Sequence, residues 1–223
     1  MENALWRQTL YLPGEGKEYF PQVIEAVRNH VRETDVQKVL VFTSDGEGAL
    51  ALADALQGTE SQVIAVTFPA TQKFAIPEKG VTRVTIKDEV STKLASKGVR
   101  LVRSILPFGD VLIPGSPDVK LAAIHHTLSL FGGGMTLCVQ AIVIACDSGY
   151  LEPGEEVISV AADTAIVATA SGKWALFSPF EGMEIREILC KPRLLKLTRA
   201  PRYKGEEPGP AGEANRDADQ NDG

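Results

Sequence analysis

Lys38-Val39-Leu40-Val41-Phe42, then Thr43-Ser44-Asp45-Gly46-Glu47-Gly48, then a helical stretch to Leu56 and Val63-Ile64-Ala65-Val66-Thr67, is the part of the sequence that decides the fold. The two β-branched apolar runs are short and continuous rather than alternating, as in parallel strands buried on both faces. Between them Ala49, Leu52, Ala53 and Leu56 recur at helical spacing, with Gly58 placed as the C-terminal cap. Strand, helix and strand at this spacing make a βαβ unit.

Working outward, Phe20, Val23, Ile24, Val27 and Val31 form the apolar stripe of an amphipathic helix before the first run. After the second run, Pro69, Pro77 and Gly80 break the pattern, with a short strand expected at residues 83–86. Asp88 is placed as the cap of a helix carrying Val90 and Leu94, ended by Gly98, and residues 99–102 read as a third strand. Pro114 to Pro117 is a loop. Leu121, Ile124, Leu128 and Phe131 line the next helix, which Gly132-Gly133-Gly134 breaks. Residues 137–146 are apolar on nearly every face, the pattern of the most buried helix. Residues 157–160 and 165–168 are strands joined so tightly at Asp163-Thr164 that they must be antiparallel if they pair, and residues 185–190 add an edge strand. The expected class is α/β: three layers, a mostly parallel sheet with helices on both faces, and an antiparallel edge.

The totals exclude several functions. A net charge of -6 lacks the basic face that displaces counterions from nucleic acid. Cys138, Cys146 and Cys190 are odd in number and widely spaced, which is neither a disulfide framework nor a metal knuckle. The beginning Met1-Glu2-Asn3 does not read as a signal peptide, and residues 135–146 are too short for a bilayer, so no membrane association and a cytoplasmic location are expected. Residues 1–193 are expected to form the domain. Residues 194–223 begin basic and turn rich in Gly, Pro, Glu and Asp, and are expected to be a disordered acidic tail.

In the order of its motifs the chain resembles the C-terminal domain of pyruvate kinase, and more closely stand-alone proteins made of that domain alone. The residues that carry this are the Thr43-Ser44-Asp45-Gly46 turn, the Phe131-Gly132 break, Asp147-Ser148-Gly149, Gly154-Glu155-Glu156-Val157-Ile158, Ala162-Asp163-Thr164-Ala165 and Lys191-Pro192-Arg193, over roughly residues 10–193. The resemblance implies a five-stranded sheet, a homodimer through packed helices, and a regulatory, small-molecule-binding role. It also implies what is missing: 223 residues leave no room for a catalytic barrel of about 250, so the chain is not expected to be a pyruvate kinase. No catalytic residue, metal site or cofactor is evident.

The candidate ligand-binding residues are Thr43, Ser44, Asp45, Gly46, Glu47, Gly48 and Thr67, with the loop at Phe108-Gly109 beside them. In the family this turn reads Thr-x-Ser-Gly-x-Ser/Thr, hydroxyls and amides converging on an anion at a helix N-terminus. Here Asp45 and Gly48 replace the two hydroxyl residues. A phosphate about 4 Å from Asp45 would be repelled by about 4 kcal/mol at an effective dielectric of 20. A small anionic or polar metabolite is the expected partner, with hydroxyl or cationic groups suiting the turn better than a bare phosphate. Asp45 can equally serve as a helix cap, with Glu47 favouring the first turn. Two other roles stay open: a metal-assisted enzyme site at the strand ends, or a structural subunit docking on a partner. Adjacent His125 and His126 point about 100° apart on a helix, and Asp147 calls for a hydrogen-bond partner.

Overall fold

The computed structural model describes residues 4–71, 73–76, 80–108 and 118–198. Helix α1 (Phe20–Glu33) leads into β2 (Lys38–Phe42), α2 (Glu47–Ala55) and β3 (Gln62–Thr67), while β1 (Leu10–Leu12) precedes them all. A hairpin of β4 (Lys73–Ile76) and β5 (Gly80–Arg83) stands apart, and α3 (Asp88–Ser96) and β6 (Arg100–Arg103) complete the first half. Then come α4 (Val119–Ser129), α5 (Gly133–Asp147), β7 (Glu156–Val160), β8 (Ala165–Thr169) and β9 (Ile185–Pro192).

The main sheet has the order β1-β9-β8-β7-β2-β3-β6. All its pairs are parallel except β7 with β8 and β8 with β9, so β8 alone runs backwards. The antiparallel part expected from the tight Asp163-Thr164 link is therefore present. The expected count of five strands is corrected to seven: β1 is only three residues long, and β9 extends to Pro192 and lies inside the sheet, between β8 and β1. Backbone bonding continues past this pair, with Arg193 N–H donating to the Leu12 carbonyl.

The continuous apolar runs are explained by two cores, one on each face. Val39, Val41, Val63, Ala65, Ile158 and Val160 pack with α1, α2 and α3. Leu40, Phe42, Ile64, Val66 and Val157 pack with α5, and α4 lies against it from outside. Eleven of the fifteen residues of α5 are buried, while none of the eleven in α4 is. Cys138 and Cys190 are buried free thiols, and Cys146 is half-buried. Burial pushes Cys190 up to about 12.

Local expectations differ in several places, among them the C-cap of α2, which is Leu56 rather than Gly58. The strand placed at 83–86 is β5, ending at Arg83, while Ile86 drops into the core below it. Lys87, not Asp88, is the N-cap of α3, and Asp88 stands in its first turn. Among the three glycines, Gly132 alone makes the break, at φ 113°, and Gly133 and Gly134 already belong to α5. Pro77, Gly109 and residues 114–117 lie outside the described residues, as does most of the expected tail. The described chain runs to Thr198, whose hydroxyl accepts from Gly133 N–H at 2.8 Å. Among the described residues no helix is long and apolar enough to cross a membrane.

Candidate functional site

Strand order reverses at β2. The chain leaves β2 through α2 to reach β3 on one side, and returns through α5 to lay β7 on the other. The two crossings run on opposite faces, so the ends of β2 and β7 part above the sheet and leave a crevice, the usual ligand position in such folds. A cavity of about 530 Å³ opens here. Its walls are mostly apolar, including Phe20, Phe68 and Leu137, and its rim carries Lys17, Thr43, Ser44, Asp45 and Glu47. Phe42 and Phe68 meet edge to face at 4.9 Å between ring centres.

The turn that forms the rim is fixed from within. Thr43 N–H donates to the Val66 carbonyl at 2.9 Å, prolonging the β2–β3 ladder. The Thr43 hydroxyl then accepts from Gly46 N–H at 2.9 Å, and Asp45 Oδ1 accepts from Glu47 N–H at 3.2 Å. Asp45 thus bonds the first turn of α2, although the N-cap position itself is Gly46. Lys17 Nζ reaches Asp45 Oδ2 at 2.8 Å from outside the βαβ unit. Burial alone would raise the Asp45 carboxyl, but the bond to Lys17, its charge and the Glu47 N–H together hold it below the usual range. Two amides that a phosphate would use are therefore already engaged by the protein's own oxygens.

Five of the seven expected residues, Thr43, Ser44, Asp45, Glu47 and Gly48, line the cavity; Gly46 and Thr67 do not. Thr67 is buried at the end of β3, where its carbonyl accepts from Ser104 N–H at 3.4 Å. Gly46 turns away from the crevice. At φ 84° it adopts a left-handed conformation, and a Cβ there would stand 2.6 Å from Val90 Cγ1. This glycine serves the packing of α2 on α3 rather than close approach to a ligand. Phe108, buried beyond β6, donates its N–H to Gln140 Oε1 at 3.1 Å and lines a different groove.

The sequence reading did not place Lys17, Phe20 or Asp163 at the site. Glu15, Gly16 and Lys17 form a strap in which each residue bonds a different element. Glu15 accepts from the N–H groups of Leu197 and Thr198 at 2.7 and 2.9 Å, and from the Thr198 hydroxyl. Gly16 N–H donates to Asp163 Oδ2 at 3.0 Å, and Lys17 pairs with Asp45. Asp163, next to the cavity-lining Ala162, also accepts from the Thr164 hydroxyl at 3.0 Å. Burial pushes its carboxyl up, aided by Glu15, and the two hydrogen bonds offset this only in part. Gly134 makes room for the pair, since a Cβ there would lie 2.4 Å from Thr164 Oγ1. The sequence signals for Asp163 were its place in the tight turn and in the Ala162-Asp163-Thr164-Ala165 motif, and for Lys17 there was none. Among the described residues no three His, Cys, Asp or Glu side chains converge to hold a metal.

No family model matches the sequence. Among solved structures the chain is similar to pyruvate kinases from Cryptosporidium parvum. One crystal structure shares 15% identity with a TM-score of 0.33, over 68% of this chain and 22% of that one. A second gives 13% and 0.34, over 68% and 23%. A third, in complex with ADP, gives 15% and 0.31, over 74% and 23%. The chain spans less than a quarter of the length of these pyruvate kinases.

Proposed function

We propose that this protein is a regulatory, small-molecule-binding domain whose ligand enters the cavity at the reversal of strand order. The observation that carries this reading is the coincidence of three features: the position between the ends of β2 and β7, a volume of about 530 Å³, and a wall to which the β2–α2 turn and the start of α2 contribute five residues. A pocket of this size, apolar with a few convergent polar groups, suits a metabolite. Its apolar body would lie against Phe20, Phe68 and Leu137, and its polar or anionic head would meet Lys17, Asp45 and the Thr43–Ser44 edge. The engaged amides of the turn favour a head that exchanges with the Lys17–Asp45 pair over a phosphate cradled by the backbone.

The test is a thermal-shift screen of small metabolites on the full chain, followed by calorimetry and by a search for turnover of each hit. A ligand of the native state stabilises it by RT ln(1 + [L]/Kd), about 2.7 kcal/mol at a hundredfold excess over Kd. Ala51→Trp, on the exposed wall of the cavity, should abolish the shift while keeping the unliganded melting temperature. A screen without any stabilising compound, or hits indifferent to Ala51→Trp, would overturn the reading.

A further inference from the structure

The apolar helix α5 is covered within its own chain by the sheet and α4, so it leaves nothing for a second subunit to cover. A patch of uncovered aromatic side chains lies elsewhere among the described residues. Between β8 and β9, residues 170–184 carry Trp174, Phe177 and Phe180, with relative exposures of 102%, 75% and 93%. These aromatics sit on a fixed platform. Lys173 N–H donates to Asp147 Oδ1 at 3.1 Å, Glu184 N–H to Thr169 Oγ1 at 2.8 Å, and Met183 N–H to the Leu176 carbonyl at 3.1 Å. Leu176 anchors the middle of the loop in the core. Held this way, the backbone beneath the rings loses little further freedom when they are covered.

Beside the loop, an apolar groove of about 340 Å³ runs between it and α4, with Ala123, Thr127, Leu128 and Phe177 in its walls. Val119, Ala123 and Thr127 repeat every fourth residue and so share one exposed side of α4. A helix with this apolar composition is ordinarily covered. Here none of its residues is buried.

We propose that this face is a self-association surface, two copies of the chain packing through α4 and the aromatic loop about a two-fold axis. An isologous contact requires knob and hole on the same patch, and the exposed rings and the groove supply both. The area is sufficient. Three aromatic side chains of roughly 200 Å² each, nearly all exposed, offer about 500 Å² per copy. Two copies therefore bury about 1,000 Å² before α4 is counted, the lower bound for a specific interface. The loop carries charges of both signs, Lys173 against Glu181 and Glu184, so in a two-fold contact each lysine has a glutamate of the other copy to face.

Sedimentation velocity across a dilution series of the full chain tests this. The wild type should sediment as a dimer and Phe177→Glu/Phe180→Glu as a monomer of unchanged circular dichroism. Ala123→Glu, which places a charge in the groove instead of removing the rings, should give the same result. Trp6 and Trp174 are the only tryptophans. In Trp6→Phe, Trp174 emission should therefore shift to the red on dilution as the dimer parts. A monomeric wild type, or a dimer that survives both charged variants, overturns the proposal.

Discussion

Gly46→Ala tests whether the β2–α2 turn is built as described. The substitution forces a side chain into a left-handed conformation at φ 84°, at a cost of about 1–2 kcal/mol. Its Cβ would also meet Val90 Cγ1 at 2.6 Å, Ile86 Cγ2 at 3.2 Å and Leu94 Cδ1 at 3.4 Å. Overpacking of this kind costs about 1–3 kcal/mol. The sum, about 2–5 kcal/mol, is a large part of the 5–15 kcal/mol typical of a folded domain. With a urea m-value of about 2 kcal/mol/M, the unfolding midpoint should fall by about 1–2.5 M. The two causes separate in a double-mutant cycle. Val90→Ala removes the closest of these contacts but not the backbone strain, so Gly46→Ala should cost less in that background, by about 1 kcal/mol or more. A Gly46→Ala unfolding free energy within about 0.5 kcal/mol of wild type would refute both the turn conformation and the α2–α3 packing.

Two further substitutions probe the same region. Thr43→Val removes the acceptor of Gly46 N–H and should destabilise by about 1–3 kcal/mol, since the amide is left buried and unpaired; a neutral result in urea would show that the bond is not formed. Asp163 and Asp45 should respond to pH in opposite senses. The Asp163 carboxyl is raised, so the folded state keeps its proton to higher pH than the unfolded chain, and wild type loses stability relative to Asp163→Asn as pH climbs from about 4 through the folded value. The Asp45 carboxyl is lowered, so its contribution is present above about pH 4 and disappears as pH falls through the folded value. Being half-exposed, Asp45 should give under about 1 kcal/mol. Urea midpoints of the two Asn variants against wild type, from about pH 3 to pH 7, measure both, and gaps that do not move with pH, or move the same way, would contradict the assigned environments.

The sequence made the three layers legible because burial on both faces leaves a mark no other environment leaves. Val39-Leu40-Val41 alternates between two cores, and so does Val63-Ile64-Ala65, so neither face can be polar. The elements misjudged are those stabilised by a neighbour more than by pattern. β1 is three residues long and exists through its pairing with β9 at Leu10 and Cys190. At the site, the β2–α2 turn could be found because a strand, a small-residue turn and a helix are contiguous. Lys17 reaches Asp45 across 28 residues, and Gly16 reaches Asp163 across 147. Bonds of that sequence separation are set by topology and carry no local periodicity. Gly46 shows the converse: its position was legible, but its role depended on where α3 would pack.

The most direct test of the binding role is an amide chemical-shift titration of the labelled chain with a compound from the screen. The perturbed signals should map to Lys17, Phe20, Thr43 through Gly48, Phe68 and Ala162, where β2 and β7 part. Saturable binding that leaves these signals in place and moves those of another surface would contradict this placement.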